Sequence, residues 1–223
     1  DLGSQTILEV TFPDTEKPVE ITLTLPGRHN VLNALAAICV AHELGVSVSD
    51  MQAALARFEG IGRRMHRYGE ISLPQGVVTL MDDYAHHPTE VAATLDATRN
   101  AWPDKRLVVV FQPHRYTRTR DLFEDFSKVL AECDVLLITE VYAAGEEHIA
   151  GADGRALCAA IRARGKVNPV FIEDVEQLGN DLSSILQDGD LVLTMGAGSI
   201  GRVASQLKDS LGGRADSSEG RQA

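Results

Sequence analysis

After residue 62 the chain alternates short apolar runs with stretches whose apolar positions recur every three or four residues, and this pattern predicts strands separated by helices. Strands are predicted at 76–81, 106–111, 134–139, 169–172 and 191–195, and helices at 88–99, 119–132, 155–164, 175–186 and 199–211. The runs VVVF and VLLI are unbroken, as expected of strands buried on both faces, so the fold class is α/β with a mainly parallel sheet and covering helices. Before residue 62 the pattern differs. β-Branched residues at 6–12 and 19–25 flank a Pro13-Asp14 turn and predict a hairpin. Leu32, Leu35, Ala36, Cys39, Val40 and Leu44 then mark a helix over 31–44 closed by Gly45, and a second helix fits 48–58 with Ser47 or Ser49 as its cap. Two strands and two helices can scarcely close a core of their own, so 1–62 reads as the end of a preceding domain, 63–211 as the α/β domain. The tail 212–223, GGRADSSEGRQA, has almost nothing to bury and is expected to be disordered.

Composition narrows the function classes. Of 223 residues 44% are hydrophobic and 24% charged, with no apolar run near the roughly 18 residues of a membrane helix, so a globular protein without membrane insertion is expected. The sequence opens Asp1-Leu2-Gly3 without Met and without signal-peptide features, and is expected to be a fragment. Cys39, Cys133 and Cys158 form neither a disulfide framework nor a metal motif, which suits a reducing cytoplasm. A net charge of −11 argues against nucleic acid or an anionic membrane as partner. An anionic ligand would need a local cationic cluster, of which there are two: Arg63, Arg64 and Arg67, and Arg115, Arg118 and Arg120. Solvated surface arginines are the plain alternative for either.

In a parallel sheet the functional loops follow the C-terminal strand ends. Four qualify: 82–88, 112–118, 140–147 and 196–201. The last reads GAGSIG, yet no strand follows it to complete a dinucleotide-binding unit, so a close strand-to-helix turn needing small residues is favoured over a phosphate loop. Asp82, Asp83, His86 and His87 could suggest a metal, but adjacent histidines cannot easily aim at one ion; hydrogen bonding to a substrate or a ribose is favoured, with one of the aspartates capping the loop backbone. Arg115 and Arg118, three apart in a loop, make a planar-donor clamp for a carboxylate or phosphate, with Thr119 capping the next helix and Arg120 a solvated residue.

The segments GRHNVLNALAA, FEGIGRRMHR, DDYAHHPTE, FQPHRYTRTRD and MGAGSIG, in this order and spacing, resemble the Mur ligase family from about Gly27 to Gly201. DDYAHHPTE and QPHRYTRT are specific; GRHN and GIGRR are shared more widely. The resemblance implies the end of a central ATPase domain followed by a Rossmann-like C-terminal domain. It further implies ATP-dependent joining of L-alanine to UDP-N-acetylmuramate through an acyl phosphate, with Mg²⁺. No GxxxxGK[ST] loop occurs in the 223 residues, so the metal ligands and phosphate lysine are expected outside this chain, which alone should not catalyse. Carried over by position, Asn30 would contact adenine beside His29, supported by Asn33. Arg64 and Arg63 would reach the phosphates, and Asp83 the ribose or its surroundings. Tyr84, His86, Arg115 and Arg118 would border the alanine and acyl phosphate. A sister ligase that recycles murein tripeptide lacks QPHRYTRT, a folylpolyglutamate-type synthetase stands further off, and a non-catalytic binding module is the alternative from another class.

Overall fold

A computed structural model describes residues 6–13, 17–25, 27–58 and 60–212; Asp14 of the predicted turn and the predicted tail beyond Gly212 lie outside them. The chain divides into two compact units, one formed by residues up to Gly62 with Ala93–Pro103, the other by Arg63–Ala92 and the residues from Asp104 onward.

In the first unit β1 (Thr6–Val10) and β2 (Val19–Leu23) pair antiparallel, Thr6 opposite Leu23 and Val10 opposite Val19. Helices α1 (Arg28–Glu43) and α2 (Val48–Ala56) follow, and the Ser47 hydroxyl accepts the Asp50 N–H as the cap of α2. Helix α1 starts three residues earlier than its apolar spacing predicts, because its first turn, Arg28-His29-Asn30, carries no apolar residue to announce it. Leu8, Phe12, Ile21, Leu23, Leu25, Ala34, Ile38 and Met51 bury one another in a contiguous cluster. These four elements therefore form more of a core than their number suggested, while Leu32, Val40 and Leu44 of the α1 region remain exposed.

The second unit is built on six strands in the order β3-β4-β8-β5-β6-β7, comprising β3 (His66–Leu73), β4 (Gly76–Asp83), β5 (Leu107–Phe111), β6 (Val135–Thr139), β7 (Val170–Ile172) and β8 (Leu191–Met195). All neighbours are parallel except β3, which pairs antiparallel with β4. The predicted parallel sheet is present, and β3 is a strand that the apolar pattern did not announce. Its sequence HRYGEISL is largely polar, and its register shifts between Arg67 and Gly69, as befits a one-sided edge strand.

The helices of this unit are α4 (Tyr116–Asp121), α5 (Phe123–Val129), α6 (Gly154–Ala163), α7 (Leu178–Ile185) and α8 (Ile200–Gly212), while α3 (Pro88–Ala101) starts in it and belongs to the first unit from Ala93 onward. Val108, Val110, Leu137 and Val192 pack with Leu178, Leu182, Val203 and Leu207 of α7 and α8 on one face. Strand alternation turns Phe111 to the opposite face, where its ring lies 5.4 Å from Phe126 of α5. Both faces of the sheet are thus helix-covered. At the opposite edge of the strands from the loops of interest, Arg106 grips the buried Asp190 through Nε (2.9 Å) and Nη2 (3.0 Å), joining the starts of β5 and β8.

Candidate functional site

Because β4, β8, β5 and β6 are parallel neighbours, their C-terminal ends stand in a row: Asp83 and Phe111 both lie opposite Met195, and Ile138 opposite Phe111. The four loops singled out from the sequence follow these ends.

The β4 loop is held by its two aspartates. Asp82 is fully buried; it accepts Arg63 Nε at 2.8 Å and the Thr194 hydroxyl at 2.7 Å. Asp83, 2% exposed, accepts the backbone N–H of Met65 and of Ala85, each at 2.8 Å. The expectation that one of the pair caps the loop backbone falls on Asp83, whose two oxygens hold the Arg63–Met65 segment against the turn after β4. That segment is bent, with positive φ at Arg63 (62°) and Met65 (48°), and the Tyr84 N–H donates to the Arg63 carbonyl. Arg63 also donates from Nη2 to the Gly196 carbonyl at 2.5 Å. Its guanidinium lies 5.0 Å from the Tyr84 ring centre, and that of exposed Arg64 lies 5.6 Å from it.

The glycine-rich turn after β8 makes room for the protein's own side chains. A Cβ on Gly201 would collide with the Arg63 guanidinium; one on Gly198 would come within 2.6 Å of Tyr142 Cβ. Buried Gln112 fills the start of α8, accepting the Ile200 N–H at 2.9 Å and donating to the Ser199 hydroxyl at 3.1 Å. The close-turn reading of GAGSIG is thereby given its physical cause. Gln112 itself was not singled out from the sequence, and its distance from α8 in the chain hid the role.

Two expectations about the β5 loop need correction. Thr119 does not cap the helix: it is buried inside α4, its hydroxyl donating back to the Arg115 carbonyl at 2.9 Å. Arg118 consequently belongs to a helix rather than a loop, and only Arg115 (φ 72°) precedes it. The start of α4 is set from afar by Glu146 of the β6 loop, which accepts the Thr117 N–H at 3.0 Å and hydroxyl at 2.7 Å. The predicted helix over 119–132 is also broken, at Leu122 between α4 and α5. Arg120 is exposed and pairs with its neighbour Asp121, as a solvated residue would.

Arg115 Nη1 lies 3.5 Å from Glu146. Arg118 Nη1 donates to the His114 carbonyl at 3.1 Å and lies 3.2 Å from His114 Nδ1. Since arginine has only donors, that nitrogen must offer its lone pair. Burial, then the charges of Arg118, His86 and Arg115, hold His114 below the usual histidine range, consistent with a neutral ring. The ring stacks on Tyr142 at 5.5 Å and meets His86 edge-on at 5.7 Å, and His86 meets Tyr84 at 5.3 Å. An aromatic row thus connects the β4, β5 and β6 loops.

His86 Nδ1 lies 2.9 Å from the Tyr84 carbonyl and 3.3 Å from Glu90, whose carboxylate also accepts the N–H of His86 (3.0 Å) and of His87 (3.3 Å). Burial would raise the Glu90 pKa, but the His86 N–H, with the nearby charges of His86 and Arg64 and the His87 N–H, brings it below the usual range. The signal for Glu90 was available: a glutamate at the third position of a helix opened by Pro88 caps it. Among the described residues no group of three or more His, Cys, Asp or Glu could hold a metal ion.

On α1 in the first unit, Asn30 is 9% exposed, His29 partly exposed and Asn33 exposed. Asn30 is the third residue of α1, and Gly27 occupies the N-cap position.

Residues 63–198 match the family model described as Mur ligase, glutamate ligase domain. The chain belongs to the Mur ligase family. It is 58% identical over 214 residues to the UDP-N-acetylmuramate–L-alanine ligase of Methylococcus capsulatus, covering 96% of this chain and 45% of that protein. It is 62% identical over 189 residues to the ligase of the same name from Neisseria gonorrhoeae, covering 84% and 40%. Among solved structures, the UDP-N-acetylmuramate–alanine ligase of Thermotoga maritima superposes with a TM-score of 0.72 at 29% identity, covering 92% of this chain and 42% of that one. The chain therefore spans less than half the length of these Mur ligases, and its fold is shared with the Thermotoga maritima ligase structure.

Proposed function

We propose that this chain is the C-terminal portion of a cytoplasmic, ATP-dependent ligase of peptidoglycan synthesis that joins L-alanine to UDP-N-acetylmuramate. The observation that carries this reading is the pair Arg115 and Arg118, oriented by Glu146 and His114 beside the Tyr84–His86 loop, in a chain 58% identical to a ligase of that name.

The chemistry accounts for the side chains. A carboxylate is a poor electrophile, so a phosphoryl group from ATP must first make it an acyl phosphate, and cationic side chains offset the charge concentrated there. Arg64, exposed and resting near Tyr84, is assigned to the phosphates. Arg63 is assigned to bracing: its donors already go to Asp82 and Gly196. Asp83 is assigned a positioning role, since its oxygens keep the arginine segment against the β4 loop. Arg115 and Arg118 take the alanine carboxylate, and Tyr84 and His86 border the reacting centre. The gain is orientation: holding amine and acyl phosphate in line is worth up to about 7–11 kcal/mol in well-oriented systems. His29, Asn30 and Asn33 are assigned to the nucleotide, Asn30 to its adenine. The Mg²⁺ ligands are assigned, on the family resemblance, to a part of the protein outside this chain.

The test is phosphate release by the full-length protein with ATP, UDP-N-acetylmuramate and each amino acid in turn. Alanine-dependent turnover is expected, and none from the 223-residue chain alone. Turnover indifferent to alanine would overturn the reading.

A further inference from the structure

We propose that Glu146 sets the charge specificity of the amino-acid end of this site, admitting substrates with one carboxylate and rejecting those with two. The inference rests on the reading above that Arg115 and Arg118 hold the substrate carboxylate.

Glu146 is anchored independently of either arginine. Thr117, in the first turn of α4, gives it both a backbone N–H (3.0 Å) and a hydroxyl (2.7 Å), and its side chain is 18% exposed. Those two hydrogen bonds, the Thr117 N–H first, hold its carboxyl below the usual range, so it is ionised at neutral pH. A carboxylate fixed in this way stays when a ligand arrives. Arg115 Nη1 faces it at 3.5 Å, and His114 meets Arg118 with a lone pair and adds no positive charge. Two guanidinium charges less one carboxylate leave a single positive charge, which one substrate carboxylate balances. A second substrate carboxylate would meet Glu146, and the Arg120 guanidinium, which also feels Glu146, is already paired with Asp121. The sheet scaffold is indifferent to charge, so discrimination must come from side chains such as this one.

The alternative is that Glu146 only starts α4. That role would alter binding of all carboxylates alike, whereas charge selection alters their ratio. The experiment uses the full-length ligase and measures inhibition constants against alanine for propionate and for succinate, in the wild type and in Glu146→Gln, which keeps an acceptor for Thr117. In the wild type succinate is expected to bind no tighter than propionate despite its extra charge. In Glu146→Gln succinate is expected to gain on propionate by about tenfold. Succinate already tenfold tighter in the wild type overturns the proposal, and so does a variant that shifts both constants equally. The wild-type comparison decides by itself if the variant does not fold. A wild-type enzyme indifferent to alanine overturns the reading of the site, a different outcome from either of these.

Discussion

Replacing Arg63 by Met keeps the apolar stem of the side chain and removes three separable contacts. The first is a charge-assisted hydrogen bond from Nε to Asp82 at 2.8 Å, and Asp82 has no exposure to water. Such a bond is worth about 1.5–3 kcal/mol. The second, to the Gly196 carbonyl, adds about 1 kcal/mol. The third, against the Tyr84 ring at 5.0 Å, adds about 0.5–1 kcal/mol. Because the Arg63 side chain is 26% exposed, water can reach part of the vacated volume and relieve part of the loss, so about 3 kcal/mol is the expected destabilisation. In a chain of this size that lowers Tm by about 6–12 °C. The assay is urea unfolding followed by far-ultraviolet circular dichroism, together with a thermal scan. Removing the stranded charge in the double variant Arg63→Met, Asp82→Asn should recover about 1 kcal/mol or more, since the two side chains share one interaction. If Arg63→Met lies within about 0.5 kcal/mol of the wild type, the pair does not brace the loop.

Gly201→Ala sets two effects against each other: helix propensity favours alanine by about 1 kcal/mol, while its Cβ would collide with the Arg63 guanidinium, so net destabilisation in a urea titration identifies the contact as dominant. In the full-length ligase, Arg118→Ala should lower kcat/KM for alanine by about 2–4 kcal/mol and Arg118→Lys by less, whereas equal values for all three would return this arginine to the solvated surface. His114 is held below the usual histidine range, so between its folded pKa and about 6.5 the unfolded chain binds more protons. Stability should therefore fall as pH drops below about 6.5, and His114→Gln should flatten that slope in urea midpoints taken from pH 7.5 to 5. Buried Cys158, its thiol pushed up to about 11 by burial, should resist alkylation under conditions that modify exposed Cys39, as read by mass spectrometry of the folded chain.

What was legible in the sequence was whatever has a local cause. The unbroken run at 107–111 places β5 within one residue of its prediction, and Ser47 caps α2 as expected. Where the cause is distant, the sequence was silent. Helix α4 begins at Tyr116 because Glu146 binds Thr117, and no residue near Thr119 carries that information. Strand β3 is stabilised by pairing with β4 rather than by its own mostly polar residues. In the site, the motif residues of the β4 and β5 loops stood out through their chemistry. Of the residues that orient them, Glu90 and His114 act within four residues of the chain, whereas Gln112 and Glu146 make contacts that become visible only once the strand ends are aligned. Asp82 and Asp83 could not be told apart as adjacent letters, yet one binds a guanidinium and a hydroxyl and the other two backbone amides.

Strand β8 is the last in chain order among the described residues, yet it lies between β4 and β5. Until Leu191–Met195 is in place, the β3–β4 hairpin and the β5–β6–β7 set are two separate ribbons, each presenting an unpaired parallel edge. During synthesis the two ribbons must wait, open, for their common wedge. A chain cut before Leu191 would keep both edges exposed and be a candidate for strand exchange between copies, since each ribbon lacks the same missing neighbour.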